Sequence, residues 1–108
     1  MIIERVYNGR DNTNDLLLKD DSTGTIAISD ISDTTRAQLV MPSVTLDSNN
    51  VGEDAYFDWD TDGANGILYL ALGQAGLEEG THEAELILFS ATYPNGLNWG
   101  SIILEVEE

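Results

Sequence analysis

The chain has 108 residues, enough for one domain with its own hydrophobic core, and its 20 acidic and 4 basic residues give it a net charge of −16. This charge argues against binding to nucleic acids and to anionic membranes, because both interactions need basic residues near phosphates. The sequence has no cysteine, which excludes disulfides and cysteine-based metal or redox sites.

The N-terminal part of the chain predicts short strands separated by polar turns. Residues 2–7 alternate imperfectly between apolar and polar side chains, which predicts a strand at the edge of a sheet. Strands are also predicted at 15–19 and 25–29. We expect the turn between them to use Gly24, since glycine accepts the positive φ that such turns often need.

The middle of the chain contains a change of side-chain parity around Pro42. Apolar side chains share one face at 37–41, and the pattern resumes at Val44 and Leu46 on the opposite parity. Because a proline cannot donate a main-chain hydrogen bond, this change predicts a bulge or a break in the strand. Residues 33–39 are predicted to hold one helical turn at most.

A second group of predicted strands precedes the C-terminal hairpin. Residues 55–59 predict a strand, and 60–66 predict a turn rich in aspartate and glycine. The run at 67–72 is apolar on both faces, which predicts a strand in the centre of a sheet. Leu77 is the large apolar side chain of the connection at 73–80, so we expect it to be buried in the core.

The most informative stretch is a predicted hairpin near the end of the chain. Strands at 81–91 and 97–107 flank Tyr-Pro-Asn-Gly at 93–96, in which Gly96 can adopt φ > 0 and start the return strand with a bulge. The second strand alternates cleanly, with Ile102, Leu104 and Val106 on one face and Ser101, Glu105 and Glu107 on the other. The first strand begins polar and ends apolar on both faces, so we expect the hairpin at the centre of the domain.

Seven or eight predicted strands and the lack of sustained helical periodicity indicate an all-β fold. The strand lengths and turn spacing favour an immunoglobulin-like or related Greek-key β-sandwich, and an up-and-down barrel is the alternative. No linker, repeat or low-complexity tail interrupts the sequence, so residues 1–108 are predicted to form a single β-sandwich domain.

One local pattern is typical of a cation site. Asp58, Asp60 and Asp62 alternate and are followed by Gly63, as in the first half of a calcium-binding loop whose oxygens converge on one hard cation. The helix-loop-helix pattern then fails, because Tyr69 stands where a bidentate glutamate is needed and the flanks are strands. A non-helical calcium or magnesium site at the three aspartates is one interpretation, and ordinary turn residues are the other.

The sequence offers no evident catalytic set. His82 is the sole histidine, and neither a cysteine nor a Gly-x-Ser-x-Gly sequence provides it with a nucleophile. We interpret His82 as a solvent-facing residue early in a strand. Carboxylate pairs are numerous, but a glycosidase needs a long cleft that a sandwich of this size rarely forms. We therefore predict that the protein is not an enzyme and has no catalytic or cofactor-binding residues.

Several aromatic side chains could form a platform on which sugar rings stack, as in carbohydrate-binding sandwiches. These are Tyr56, Trp59, Tyr69, Tyr93 and Trp99. Packing in the core and over the hairpin turn is the competing interpretation, because most of these residues adjoin apolar strands. A carbohydrate- or calcium-binding module is therefore the alternative function.

Four stretches, taken in order, resemble small phage virion proteins. A strand ends in Asp-Trp at 58–59, and the next closes with Leu-Ala-Leu-Gly at 70–73. A Leu-x-x-Gly turn follows at 77–80, and a Tyr-Pro-Asn-Gly-x-x-Trp hairpin at 93–99. Over residues 26–106 the chain is similar to β-sandwich domains of phage tail, baseplate and head-tail proteins, including the amino-terminal domain of upper baseplate proteins.

The resemblance implies a non-enzymatic structural or assembly protein that binds other virion proteins in the tail, neck or head. Baseplate proteins carry further receptor-binding domains, so the length of this chain favours a free-standing accessory or neck-type protein. Such a protein would be assembled in the host cytoplasm, in agreement with a start at 1–5 that lacks the pattern of a signal peptide. The net charge opposes self-association at low salt, whereas symmetric rings are common in virions. The sequence therefore permits a homo-oligomer but does not decide the oligomeric state.

Overall fold

The computed structural model describes residues 2–20, 27–28 and 30–107. Within these residues the protein is all-β, as predicted, with ten strands and two short 3₁₀ turns at Asp54–Tyr56 and Gly63–Asn65. The strands are β1 (Ile2–Tyr7), β2 (Asn14–Leu17), β3 (Lys19–Asp20), β4 (Ala27–Ile28), β5 (Thr34–Val40), β6 (Thr45–Asp47), β7 (Phe57–Asp58), β8 (Ile67–Leu70), β9 (Gly80–Ser90) and β10 (Leu97–Glu107). None of the described residues belongs to a helix long and apolar enough to cross a membrane.

The strands form two main sheets and one small ladder. The larger sheet has the order β1-β10-β9-β5-β6, and its neighbours are antiparallel except for β1 and β10, which are parallel. The smaller sheet has the order β2-β8-β7 and is antiparallel, while β3 pairs with β4. In an up-and-down barrel each strand pairs with its sequence neighbours, so the pairing of β5 with β9 does not fit that alternative.

Both main sheets contribute side chains to one hydrophobic core. The largest fully buried side chains are Leu16, Leu39, Leu68, Leu70, Leu72, Leu86 and Leu104. They alternate with exposed or half-buried residues along each strand, because successive side chains of a strand point to opposite faces. The expectation for the connection after β8 is also confirmed, since Leu77 is only 6% exposed.

The hairpin of β9 and β10 occupies the interior of the larger sheet, as the sequence predicts. β9 lies between β10 and β5, and β10 lies between β1 and β9. The predicted alternation of β10 is confirmed, because Ile102, Leu104 and Val106 are all buried. In the turn the N–H of Gly96 donates to the main-chain oxygen of Tyr93 at 3.0 Å, and Gly96 adopts a φ of 87°.

The bulge of this hairpin lies in β10 and not at Gly96. The pairing with β9 shifts between Asn98 and Gly100, so Trp99 is the extra residue of the longer strand. An extra residue reverses the alternation of faces, which lets Trp99 pack against the core although its sequence position has the parity of the opposite face. The positive φ of Gly96 and the alternation of β10 beyond the turn agree with the prediction. The bulge does not, because it lies at Trp99, three residues later than predicted.

The change of parity at Pro42 is a break, because the chain turns there into a new strand. β5 ends at Val40 and β6 begins at Thr45. The N–H of Met41 donates to the oxygen of Val44 at 2.9 Å and closes the loop between them. The two strands then pair as an antiparallel hairpin.

One other local prediction differs from the structure. Residues 33–39 agree with their prediction of one helical turn at most, since Thr34–Val40 form β5. The predicted strand at 55–59 is shorter in the structure, because Asp54–Tyr56 form a 3₁₀ turn and only Phe57–Asp58 pair with β8. The N–H of Tyr56 donates to the oxygen of Glu53 at 3.1 Å, and the preceding acidic residues are poor strand formers.

The prediction for the third strand can be compared only in part. Residues 27–28 form β4. The other residues of the predicted strand at 25–29 and the turn at Gly24 lie outside the described residues. The ten described strands exceed the predicted seven or eight because β3, β4 and β7 have two residues each. Strands of two residues are too short to show an alternating pattern of apolar and polar side chains, so the sequence does not predict them.

We expect Gly96→Ala to destabilise the protein more than Gly52→Ala. Both glycines have positive φ values, 87° and 81°, so alanine is strained by about 1–2 kcal/mol at either position. A Cβ at residue 96 would also lie 2.6 Å from Cγ2 of Ile87, whereas nothing lies within 4 Å at residue 52. This overpacking adds about 1–3 kcal/mol, which urea unfolding of the two variants measures. Equal losses would contradict close packing of the turn against β9.

Candidate functional site

The three aspartates predicted as cation ligands lie between β7 and β8. Asp58 is the last residue of β7, and Asp62 directly precedes the 3₁₀ turn at Gly63–Asn65. Both are half-buried, while Asp60 between them is exposed. The predicted turn at 60–66, which contains Asp60 and Asp62, is therefore confirmed.

The carboxylate of Asp58 holds this turn together. One of its oxygens accepts hydrogen bonds from the N–H groups of Asp60 and Thr61 at 3.0 and 3.1 Å, and the other accepts the hydroxyl of Thr61 at 2.7 Å. The hydroxyl and the N–H of Thr61 stabilise the charged form and hold the pKa of Asp58 below its usual value. A cation at Asp58 would have to compete with these donors.

The carboxylate of Asp62 is engaged elsewhere. It accepts a hydrogen bond from the hydroxyl of Tyr69, and this bond raises the pKa of Tyr69 to about 12. Among residues 2–20, 27–28 and 30–107 no three histidine, cysteine, aspartate or glutamate side chains are grouped so that they could hold a metal ion. The structure thus does not bring the three aspartates together as ligands, and calcium binding stays a prediction from their spacing.

The other candidate residues are the sole histidine and the five aromatic residues considered for sugar stacking. Nε2 of His82 lies 2.6 Å from the main-chain oxygen of Glu78, and His82 is half-buried, so it is less solvent-facing than expected. Of the five aromatic residues considered for sugar stacking, three pack partly buried against the core: Tyr56, Trp59 and Trp99. Tyr69 is held by its bond to the Asp62 carboxylate, and Tyr93 is 50% exposed. The five do not form one exposed row.

A polar network on the larger sheet was not predicted from the sequence. Nε of Arg36 donates to both carboxylate oxygens of Asp47 at 3.0 and 3.1 Å, and its Nη2 donates to one of them as well. Nε2 of Gln38 and the N–H of Asn49 donate to the same carboxylate at 2.9 Å each. The Arg36 guanidinium also lies 4.7 Å from the ring centroid of Phe89, a cation–π geometry.

The pairing of β5 with β6 explains this network. Gln38 lies opposite Asp47 in the hairpin, and Arg36 is two residues further along the same face of β5. Asp47 is only 6% exposed, and the Arg36 guanidinium with its companion donors holds the pKa of Asp47 well below its usual range. An isolated arginine within a strand of a strongly acidic chain is the available sequence signal, but it does not identify the partner.

The described surface has several shallow depressions and no deep cleft among them. One of about 400 Å³ lies between β5 and the β9–β10 turn and is lined by Arg36 and Phe89. A second of about 280 Å³ lies between the β5–β6 loop and β9. A third of about 210 Å³ lies between that loop and the connection before β9, next to His82.

Comparison with known proteins adds no assignment. Neither a protein-family model nor a curated protein matches this chain.

We expect Asp47→Asn to lower the free energy of unfolding by about 1.5–3 kcal/mol, because Arg36 loses a charged hydrogen-bond partner. The pKa of Asp47 is lower in the folded than in the unfolded protein, so this stabilisation is complete above about pH 5 and is lost as the pH falls below about 4. Urea unfolding of the wild type and the variant across this range measures the difference.

The matched control for this variant is Asp33→Asn. It removes the same charge at an exposed position and is expected to change stability by less than about 0.5 kcal/mol. A difference between the wild type and Asp47→Asn that stays constant from pH 6 to pH 3 would contradict the ion-pair role of Asp47.

We expect Asp58→Ala to lower the free energy of unfolding by about 1 kcal/mol, because the N–H groups of Asp60 and Thr61 lose their acceptor. Asp60→Ala removes an exposed carboxylate and should be nearly neutral. Thermal unfolding with and without millimolar calcium then separates the two interpretations of the turn. A calcium-dependent rise in the midpoint that both variants abolish would establish a cation site, whereas an unchanged midpoint fits a hydrogen-bonded turn alone.

Proposed function

We propose that the protein is a non-enzymatic structural or assembly protein of a phage virion, located in the tail, neck or head and acting through protein–protein contacts. The sequence resemblance at 58–59, 70–73, 77–80 and 93–99 suggests this role. Assembly in the host cytoplasm with other virion proteins as partners follows from the same proposal.

The observation that carries the proposal is the exposure of β1 at the edge of the larger sheet. Among the described strands β1 pairs with β10 alone, as expected for a predicted edge strand. It presents Ile3, 58% exposed, and Tyr7, 37% exposed, to the surface. An exposed edge strand with apolar side chains is a favourable place for another polypeptide to bind. Two main-chain oxygens of this edge are already occupied, that of Arg5 by the side-chain amide of Asn14 and that of Tyr7 by the N–H of Arg10, so a binding strand would pair with the other edge groups.

We infer the finer fold assignment from the strand order. The run β10-β9-β5-β6 in the larger sheet corresponds to strands G, F, C and C′ of a variable-type immunoglobulin domain, and β2-β8-β7 corresponds to B, E and D. This correspondence supports an immunoglobulin-like Greek-key sandwich, with β1 added beside the last strand. Domains of this architecture serve many unrelated functions, so the fold supports a binding role without specifying the partner.

The proposal predicts that the protein is a component of purified phage particles and that β1 contributes to its incorporation. Mass spectrometry of particles should detect the wild-type chain. Ile3→Thr keeps a β-branched side chain but removes exposed apolar surface, and we expect it to reduce incorporation, while Val51→Thr on a fully exposed loop should not. Absence of the protein from particles, together with a gene remote from virion genes, would overturn the proposed function.

A further inference from the structure

A groove on the outer face of the larger sheet combines apolar and acidic side chains. It is lined by Val40, Met41, Pro42, Glu83 and Glu85 and has a volume of about 280 Å³. We call it the acidic groove. It forms because β5 ends at Val40, opposite Glu85, while β9 continues beyond it past the β5–β6 loop.

The two glutamates of the acidic groove share one face of β9. They are two residues apart, so their Cα atoms lie about 7 Å from each other and both side chains point away from the core. Both are exposed, and among the described residues neither carboxylate has a basic group within ion-pair distance or a hydrogen-bond donor. A cation between them would relieve their mutual repulsion.

Apolar side chains lie on both sides of the groove, although Ser101 of β10 is the residue opposite Glu85. Val40 lies directly opposite Glu85 on β5, and Pro42 extends this side into the exposed loop. On the other side Ile103 of β10 lies opposite Glu83, and Ile3 of β1 lies opposite Ile103. Fully solvated carboxylates need no such neighbours, whereas an amphipathic cationic side chain is complemented by them.

We propose that the acidic groove binds a lysine or arginine side chain presented by a basic surface of a partner protein. The aliphatic part of that side chain would lie against Val40 and Pro42, and its charged end would lie between Glu83 and Glu85. The inference deepens the proposed function and rests on it for the nature of the partner. β10 separates the groove from β1, and Ile103 of β10, which lies between Glu83 and Ile3, connects the groove to the sheet edge.

The charges of the chain favour a separate basic protein over the other occupants. A second copy brings another net charge of −16, and two of its four basic residues, Arg5 and Arg36, already form ion pairs within the chain. A divalent cation would find only two carboxylates, since no group of three ligands occurs among the described residues. Anionic partners are repelled.

The test uses a short capped peptide with a single lysine, and the same peptide with glutamine in its place. Titration into ¹⁵N-labelled protein at low ionic strength is followed by amide chemical shifts. We expect the lysine peptide to shift resonances of residues 40–42 and 83–85, and the glutamine peptide to leave them unchanged. The double variant Glu83→Gln/Glu85→Gln should weaken binding about fivefold, from the loss of two exposed ion pairs.

The matched control is Glu78→Gln/Glu79→Gln, which makes the same change in net charge on exposed residues just before β9. Equal weakening by both double variants would overturn the proposal, because the general negative field would then be sufficient. Calcium displacing the peptide from the groove at equimolar concentration, or a dimer in light scattering that Glu83→Gln/Glu85→Gln dissolves, would also overturn it in favour of those occupants. None of these results bears on whether the protein is a virion component, which mass spectrometry of purified particles tests separately.

Discussion

The antiparallel pairing of β9 with β10 supports the whole larger sheet, because its other strands pair outward from these two. β1 pairs with β10, and β5 pairs with β9 and in turn with β6. Each central strand has eleven residues and buries one face in the core. The turn that joins them has a glycine with positive φ, Gly96, close against the side chains of Ile87 and Phe89, so a larger residue there would disturb the packing at this end of the hairpin.

The strongly acidic composition affects the surface much more than the core. The core is built from leucines of both sheets, and the ion pairs of Arg5 with Glu105 and Glu107, at 3.7 and 3.8 Å, are exposed and worth little. The pair of Arg36 with Asp47 is more enclosed and links β5 to β6. Most other carboxylates lie on the surface. There they repel other molecules of the same protein and anionic molecules, and they attract basic partners.

The Asp58 turn illustrates why spacing alone is a weak predictor of a metal site. Alternating aspartates occur both in calcium loops and in hydrogen-bonded turns, and the direction of each carboxylate distinguishes the two. Here Asp58 faces the N–H groups that follow it, while Asp62 faces the hydroxyl of Tyr69. Tyr69 is the residue that breaks the calcium-loop pattern in the sequence, and in the structure it is the partner of one of the predicted ligands.

The sequence by itself determined the all-β class, the central hairpin and much of the core, because alternation and turn residues act within a few positions of each other. Leu77, Leu104 and the edge position of β1 follow from such local patterns. Only the tertiary structure decided the bulge at Trp99, the partner of Arg36 and the acidic groove. Each depends on the register between strands distant in the sequence, such as Val40 opposite Glu85, and that register is set by packing of the assembled sheets.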